Sequence, residues 1–179
     1  MVIFRKNKFV YKLYTWLPIL FLFFSVLNEF DLNYLTIEYF SFNFPFVLIF
    51  YFTLKEYDRF DYLLVFVAGL VNDTVIGTPI GLSSFSYILV CMFSVYLRNI
   101  TIRPNLIKDW FYFLFVITLI NSMNYLILFF FFSYDLNIMF YVINNLFTFL
   151  LYIPMSLIFN NYLKTSKNHE RSVRSLYKI

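Results

Sequence analysis

The sequence predicts an all-α integral membrane protein, a bundle of about six transmembrane helices. Three observations predict it. Of 179 residues, 61% are hydrophobic and only 13% charged, about half the charged fraction of an ordinary soluble domain. No soluble core buries that much apolar side chain, so lipid must solvate part of it. Apolar runs recur near the length of a bilayer crossing, and all 14 Lys and Arg residues fall in alternate polar segments between them.

The elements follow in chain order. Arg5, Lys6, Lys8 and Lys12 precede a first apolar run at 13–27. Charged then apolar segments also mark a signal peptide, but Asn28-Glu29-Phe30 offers no small-x-small cleavage site, so the run reads as an uncleaved anchor helix. A mixed segment with Glu29, Asp31 and Glu38 leads into a second span at 37–54. The charged loop Lys55-Glu56-Tyr57-Asp58-Arg59-Phe60-Asp61 separates it from a third span at 62–76. Gly77-Thr78-Pro79-Ile80-Gly81 breaks the chain before a fourth span at 82–97. Residues 98–109 are polar and basic, and Pro104 stops any helix running through them. The fifth span, 110–132, is long enough to cross an apolar core of about 30 Å at about 1.5 Å per residue. A turn at 133–137, a sixth span at 138–159 and a basic tail at 160–179 complete the chain. Spans three and four reach only about 24 Å each as ideal helices. Two short helices joined at the glycine turn are the preferred arrangement. A re-entrant hairpin also fits, because the basic loops on either side share one face.

Counting charge by side orients the bundle. Segments 1–12, 55–61, 98–109 and 160–179 hold 4, 2, 3 and 5 Lys or Arg, and the opposite loops hold none while carrying Glu29, Asp31, Glu38 and Asp135. Lys and Arg gather on the cytoplasmic side of membrane proteins, so both termini are expected in the cytoplasm. Tyr14, Trp16, Tyr62, Tyr96, Trp110 and Tyr134 lie near predicted span ends, as interfacial aromatics do. The tail's charge suits anionic lipid better than nucleic acid. With one cysteine, Cys91, and one histidine, His169, neither an internal disulfide nor a metal cluster or cofactor site is expected.

All three glycines, Gly69, Gly77 and Gly81, lie within thirteen residues of one another. Gly77 and Gly81 can take positive φ, and Pro79 fixes φ and removes a donor, so together they specify a sharp turn. Asp73, about one helical turn earlier, is an acid within an apolar run, and an acid there is costly unless paired or hydrated. Two readings are open. Asp73 is a proton, ion or partner site, or, with Asn72 and Thr78, it accepts hydrogen bonds from amides freed at the turn. The second is preferred. Asn121 and Asn124 share a face of span five, and Asn144, Asn145 and Thr148 lie in span six at similar depth. They form either interhelical hydrogen bonds, the preferred reading, or a polar cavity for a small ligand. Ser83 and Ser86 make a small-residue face suited to close helix packing. No HExxH, P-loop or GxSxG motif occurs, and no intramembrane base accompanies a serine, so no catalytic residue is assigned.

The pattern Gly69-Leu70, Asp73, Gly77-Thr78-Pro79 and Gly81-Leu82 resembles the signature of MreD, the rod shape-determining membrane protein family of bacteria. Length, basic N-terminus, flanking charged loops, two closing helices and basic tail agree in layout. Asn72 departs from it, standing where an apolar residue is usual. The resemblance implies a non-enzymatic scaffold of the cell-elongation machinery in the bacterial inner membrane. Its partners would be MreC, the MreB filament, RodA and a class B penicillin-binding protein. The implied fold is similar to the substrate-binding subunit of energy-coupling-factor transporters. The family has no agreed catalytic residues, so Gly69, Asp73, Gly77, Thr78, Pro79 and Gly81 carry over only as a signature turn. The alternative function, sharing the expected fold, is a small-molecule-binding subunit of a membrane transporter, with the asparagines as cavity lining.

Overall fold

The computed structural model describes residues 16–27, 42–56, 61–101, 105–133 and 138–176. Their regular structure is entirely helical. It comprises α1 (Trp16–Leu27), α2 (Phe44–Lys55), α3 (Tyr62–Ile76), α4 (Leu82–Ile100), α5 (Leu106–Phe132) and α6 (Ile138–Leu176). The basic segment at 1–12, Glu29, Asp31, Glu38, Pro104, Asp135 and Lys178 lie outside the described residues.

α2 is the axis of the bundle. Pro45 sits in its first turn, where the missing N–H costs nothing. Every residue from Pro45 to Leu54 is buried, as expected of a helix that is apolar on all sides. Phe46 meets Tyr87 of α4 edge-on at 5.7 Å, while Phe50 packs on Phe113 of α5 at 5.1 Å and Tyr152 of α6 at 5.9 Å. α3 packs against α4 as an antiparallel hairpin. Leu22 and Val26 bring α1 into the same core.

The helices outrun the predicted spans at several polar ends. α4 continues through Arg98 to Ile100, α5 starts at Leu106 and takes in Lys108 and Asp109, and α6 runs 39 residues to Leu176. Polarity ends an apolar run but not a helix, because Lys, Arg and Glu are good helix formers. Asn105 starts α5 by accepting the Ile107 N–H on its side chain at 3.3 Å. α6 stays helical through Pro154, although proline removes the bond to the Leu150 carbonyl. The Trp110 indole N–H donates to the adjacent Phe149 carbonyl at 2.8 Å, and its ring stacks on Phe149 at 4.3 Å. Trp110 therefore braces α5 against α6.

Among the described residues two helices are long and apolar enough to cross a membrane, Leu106–Phe132 and Tyr141–Asn168. α2 and α3 have 12 and 15 residues and are apolar but shorter than a full crossing. The predicted start of span two at 37 lies outside the described residues, and the described part begins at Phe44.

Candidate functional site

The α3–α4 turn gathers the signature residues into one hydrogen-bonded unit. α3 ends at Gly77, whose φ of 78° and ψ of 22° are left-handed. The N–H groups of Gly77 and Thr78 both donate to the Asp73 carbonyl, at 2.9 and 3.1 Å, closing the helix C-terminus. Pro79 follows, and its carbonyl accepts the Leu82 N–H at 3.2 Å. Gly81, at φ 101°, then starts α4.

A helix N-terminus leaves four amides without intrahelical acceptors, and a side-chain oxygen at the cap usually takes one of them. Gly81 has no side chain to offer. Asp73 supplies the acceptor from eight residues back. Its Oδ2 accepts the Gly81 N–H at 2.7 Å, and its Oδ1 accepts the Ser83 N–H and the Thr78 hydroxyl, each at 2.9 Å. The side chain is buried, 1% exposed, and sits at the positive end of the α4 dipole. Asn72 extends the unit by donating from Nδ2 to Ser83 Oγ at 2.9 Å. Of the two readings of Asp73, the described geometry is that of an acceptor for the turn.

Gly69 explains the close approach of the two helices. A Cβ built there would stand 2.3 Å from Ser84 Cα and 2.5 Å from Ser84 N, inside any permitted contact. Ser84 is fully buried and donates from Oγ to the Phe66 carbonyl at 2.9 Å. The close packing expected of Ser83 and Ser86 is thus made by Ser84 with Gly69. Helical spacing turns Ser83 and Ser86 elsewhere, Ser83 to Asn72 and Ser86 to α5.

Asn121 and Asn124 bond to different helices. Asn121 Nδ2 donates to Asn145 Oδ1 at 2.7 Å, joining α5 to α6. Asn124 accepts from Ser86 Oγ at 2.8 Å, joining α5 to α4. Three residues on a helix differ by roughly 60° in direction and about 4.5 Å in height, enough to send the two amides to different neighbours. Thr148, fully buried, donates to the Asn144 carbonyl at 2.7 Å and accepts the Asn43 N–H at 2.9 Å, which ties α6 to the start of α2. A further bond joins Ser122 Oγ and the Tyr141 hydroxyl at 2.6 Å. The cavity beside α2 has other walls. It measures about 290 Å³, is wholly apolar, and is lined by α1, α2 and α6 through residues such as Leu17, Phe21, Phe44, Leu48, Phe52 and Phe159.

One buried charge pair is missed by sequence reasoning. Lys55, in the last turn of α2, meets Asp109, in the first turn of α5, at 2.5 Å, and Asp109 is 1% exposed. Each charge also sits at the helix end whose dipole favours it. Next to it Lys167 pairs with Glu56 at 3.1 Å, so α2, α5 and α6 are tied together at one end of the bundle. The available signal is that the loops at 55–61 and 98–109 belong on one side. Nearby, the buried Tyr152 hydroxyl has no hydrogen-bond partner among the described residues, and its ring is held by stacking on Phe113 at 4.7 Å.

Among the described residues no three His, Cys, Asp or Glu side chains come together in a group that could hold a metal ion. Comparison of the chain with family models, with curated proteins and with solved structures finds no match.

Proposed function

We infer that the chain is a bacterial inner-membrane scaffold of the MreD family, a non-enzymatic component of the cell-elongation machinery. In this reading six helices form the transmembrane bundle, and segments 1–12, 55–61, 98–109 and 160–179 face the cytoplasm. The helices dock the membrane anchor of MreC. The basic cytoplasmic segments face the MreB filament and anionic lipid, and RodA and a class B penicillin-binding protein belong to the same complex.

The observation that carries the reading is the engagement of both Asp73 oxygens by donors of their own turn. It supports an architectural role for the motif that bears the family resemblance. The pairing of the deep asparagines with neighbouring helices supports the same role. Membrane insertion draws support from the outer surface. Only 22% of the apolar window of each long helix is buried in the bundle. Phe130 and Phe131 on α5, and Ile138 and Met139 on α6, are each more than half exposed, and so large an apolar surface needs lipid or a partner.

A transporter subunit is the second reading, favoured by the cavity beside α2. Its apolar walls would suit a greasy ligand and leave polar vitamins without partners. Depletion of the protein in its rod-shaped host separates the two. The scaffold reading expects rods to become spheres. Cells that keep their rod shape while losing uptake of a small molecule would support the transporter instead.

A further inference from the structure

The cavity beside α2 is long rather than round. α2 lines it with Phe44, Leu48 and Phe52, and α6 lines it with Met155, Ile158 and Tyr162. Spacings of three and four residues place each set on one helix face. The two helices run the same way along it. The Asn43 N–H bonds Thr148 Oγ1 at 2.9 Å before the cavity, and Glu56 pairs with Lys167 at 3.1 Å beyond it. Phe44 to Phe52 therefore covers about 12 Å of wall and Met155 to Tyr162 about 10.5 Å, at about 1.5 Å per residue. A volume of about 290 Å³ spread over that length gives a mean bore of roughly 5.5 Å. Phe21, on the α1 wall, is 50% exposed and Ile158 is 58% exposed, whereas Leu48 is fully buried and Phe52 nearly so. The cavity thus opens between α1 and α6 and has α2 as its floor.

The walls exclude most occupants. They are wholly apolar. A buried water needs several polar partners and finds none on them. An ionic or strongly hydrogen-bonding ligand would lose its hydration without return. Left empty, the walls forgo the contacts that a dense interior makes. Carbon atoms pack at about 3.5–4.0 Å from one another, so the bore admits one hydrocarbon chain and not two abreast. With C–C bonds of about 1.5 Å, a zigzag of about ten carbons fills the length. We propose that the cavity holds one linear hydrocarbon chain of an amphiphile, a phospholipid or a free fatty acid, whose polar head stays outside. The proposal rests on the membrane reading above for the supply of such chains, while the fit comes from the walls themselves. An occupied cavity completes the packing of α1 against α2 and α6.

The test uses the full-length protein in phosphatidylcholine nanodiscs. In one arm a small fraction of the lipid carries a diazirine at the end of a chain. In the other arm the diazirine is on a free fatty acid. Irradiation and peptide mass spectrometry then map the labelled residues. Labelling of Leu48 and Phe52 is expected alongside that of the exposed Phe130, because only a chain inside the cavity reaches its floor. The arm that labels them identifies the source. Ile158→Trp puts a bulky ring at the mouth and should abolish labelling of Leu48 and Phe52 while Phe130 stays labelled. Phe115→Trp, at a comparably exposed position on α5, should change neither. Labelling of Phe130 without Leu48 and Phe52 in both arms overturns the proposal, as does unchanged labelling of the floor in Ile158→Trp. Absence of label at all three positions contradicts the membrane reading as well, so the two failures are distinguishable.

Discussion

Asp73 holds three donors with two oxygens, and the chemistry of its replacements separates architecture from proton traffic. Asparagine keeps one oxygen for Thr78 and Ser83 but turns an amide toward the Gly81 N–H. One buried donor then lacks an acceptor, so Asp73→Asn should lower unfolding stability in detergent by about 1–3 kcal/mol. Asp73→Ala, which strands all three, should cost more. A proton or ion site would give the other pattern, with Asp73→Asn folding normally and losing all function. Gly69→Ala drives a methyl into the Ser84 backbone, where no side chain can swing away. It should destabilise by about 1–3 kcal/mol, the range for overpacking, whereas Gly77→Ala, uncrowded but left-handed, should cost about 1–2 kcal/mol from backbone strain alone. Thermal unfolding of the two variants checks both values. The sharp turn itself is legible in the sequence, because glycine and proline are so sparsely used elsewhere. The role of Asp73 is less so: an acid within an apolar run reads alike whether it faces a ligand or a backbone. Only the distance to Gly81 and Ser83 decides.

At the scale of elements, the helices are joined by small polar pairs. Asn121 and Asn145 bridge α5 and α6. Replacing either by leucine leaves the other amide alone, while replacing both removes the need. A double-mutant cycle with Asn121→Leu and Asn145→Leu should give a coupling of about 0.6–2 kcal/mol, with the double variant near wild type. The pair at the other end of α5 is asymmetric. Lys55→Met strands the buried Asp109 carboxylate, whereas Asp109→Asn leaves a lysine that is already 24% exposed and can reach water. Broken buried pairs cost about 3–5 kcal/mol, so Lys55→Met should approach that range and Asp109→Asn should fall well below it in denaturant titrations. That the asparagines bond between helices was readable from their type and depth. Their partners were not, because a 60° turn of the helix decides between α4 and α6. Lys55 and Asp109 lie 54 residues apart in segments that look like loops, and apolar periodicity says nothing about how far a helix continues into charge.

At the scale of the whole molecule, composition makes the helical class legible and charge asymmetry proposes an orientation. The packing order around α2 is hidden, since a helix apolar on every side shows no preferred face. In the proposed topology these helices cross a membrane with every Lys and Arg on the cytoplasmic side. In a Cys91→Ser background, single cysteines at the exposed positions Ile80, Asn99 and Asn168 report each side with a membrane-impermeant maleimide. Position 80 should label in intact spheroplasts, and positions 99 and 168 only after permeabilisation. Protection of position 80 from the outside, or labelling of 99 or 168 without permeabilisation, would contradict that topology.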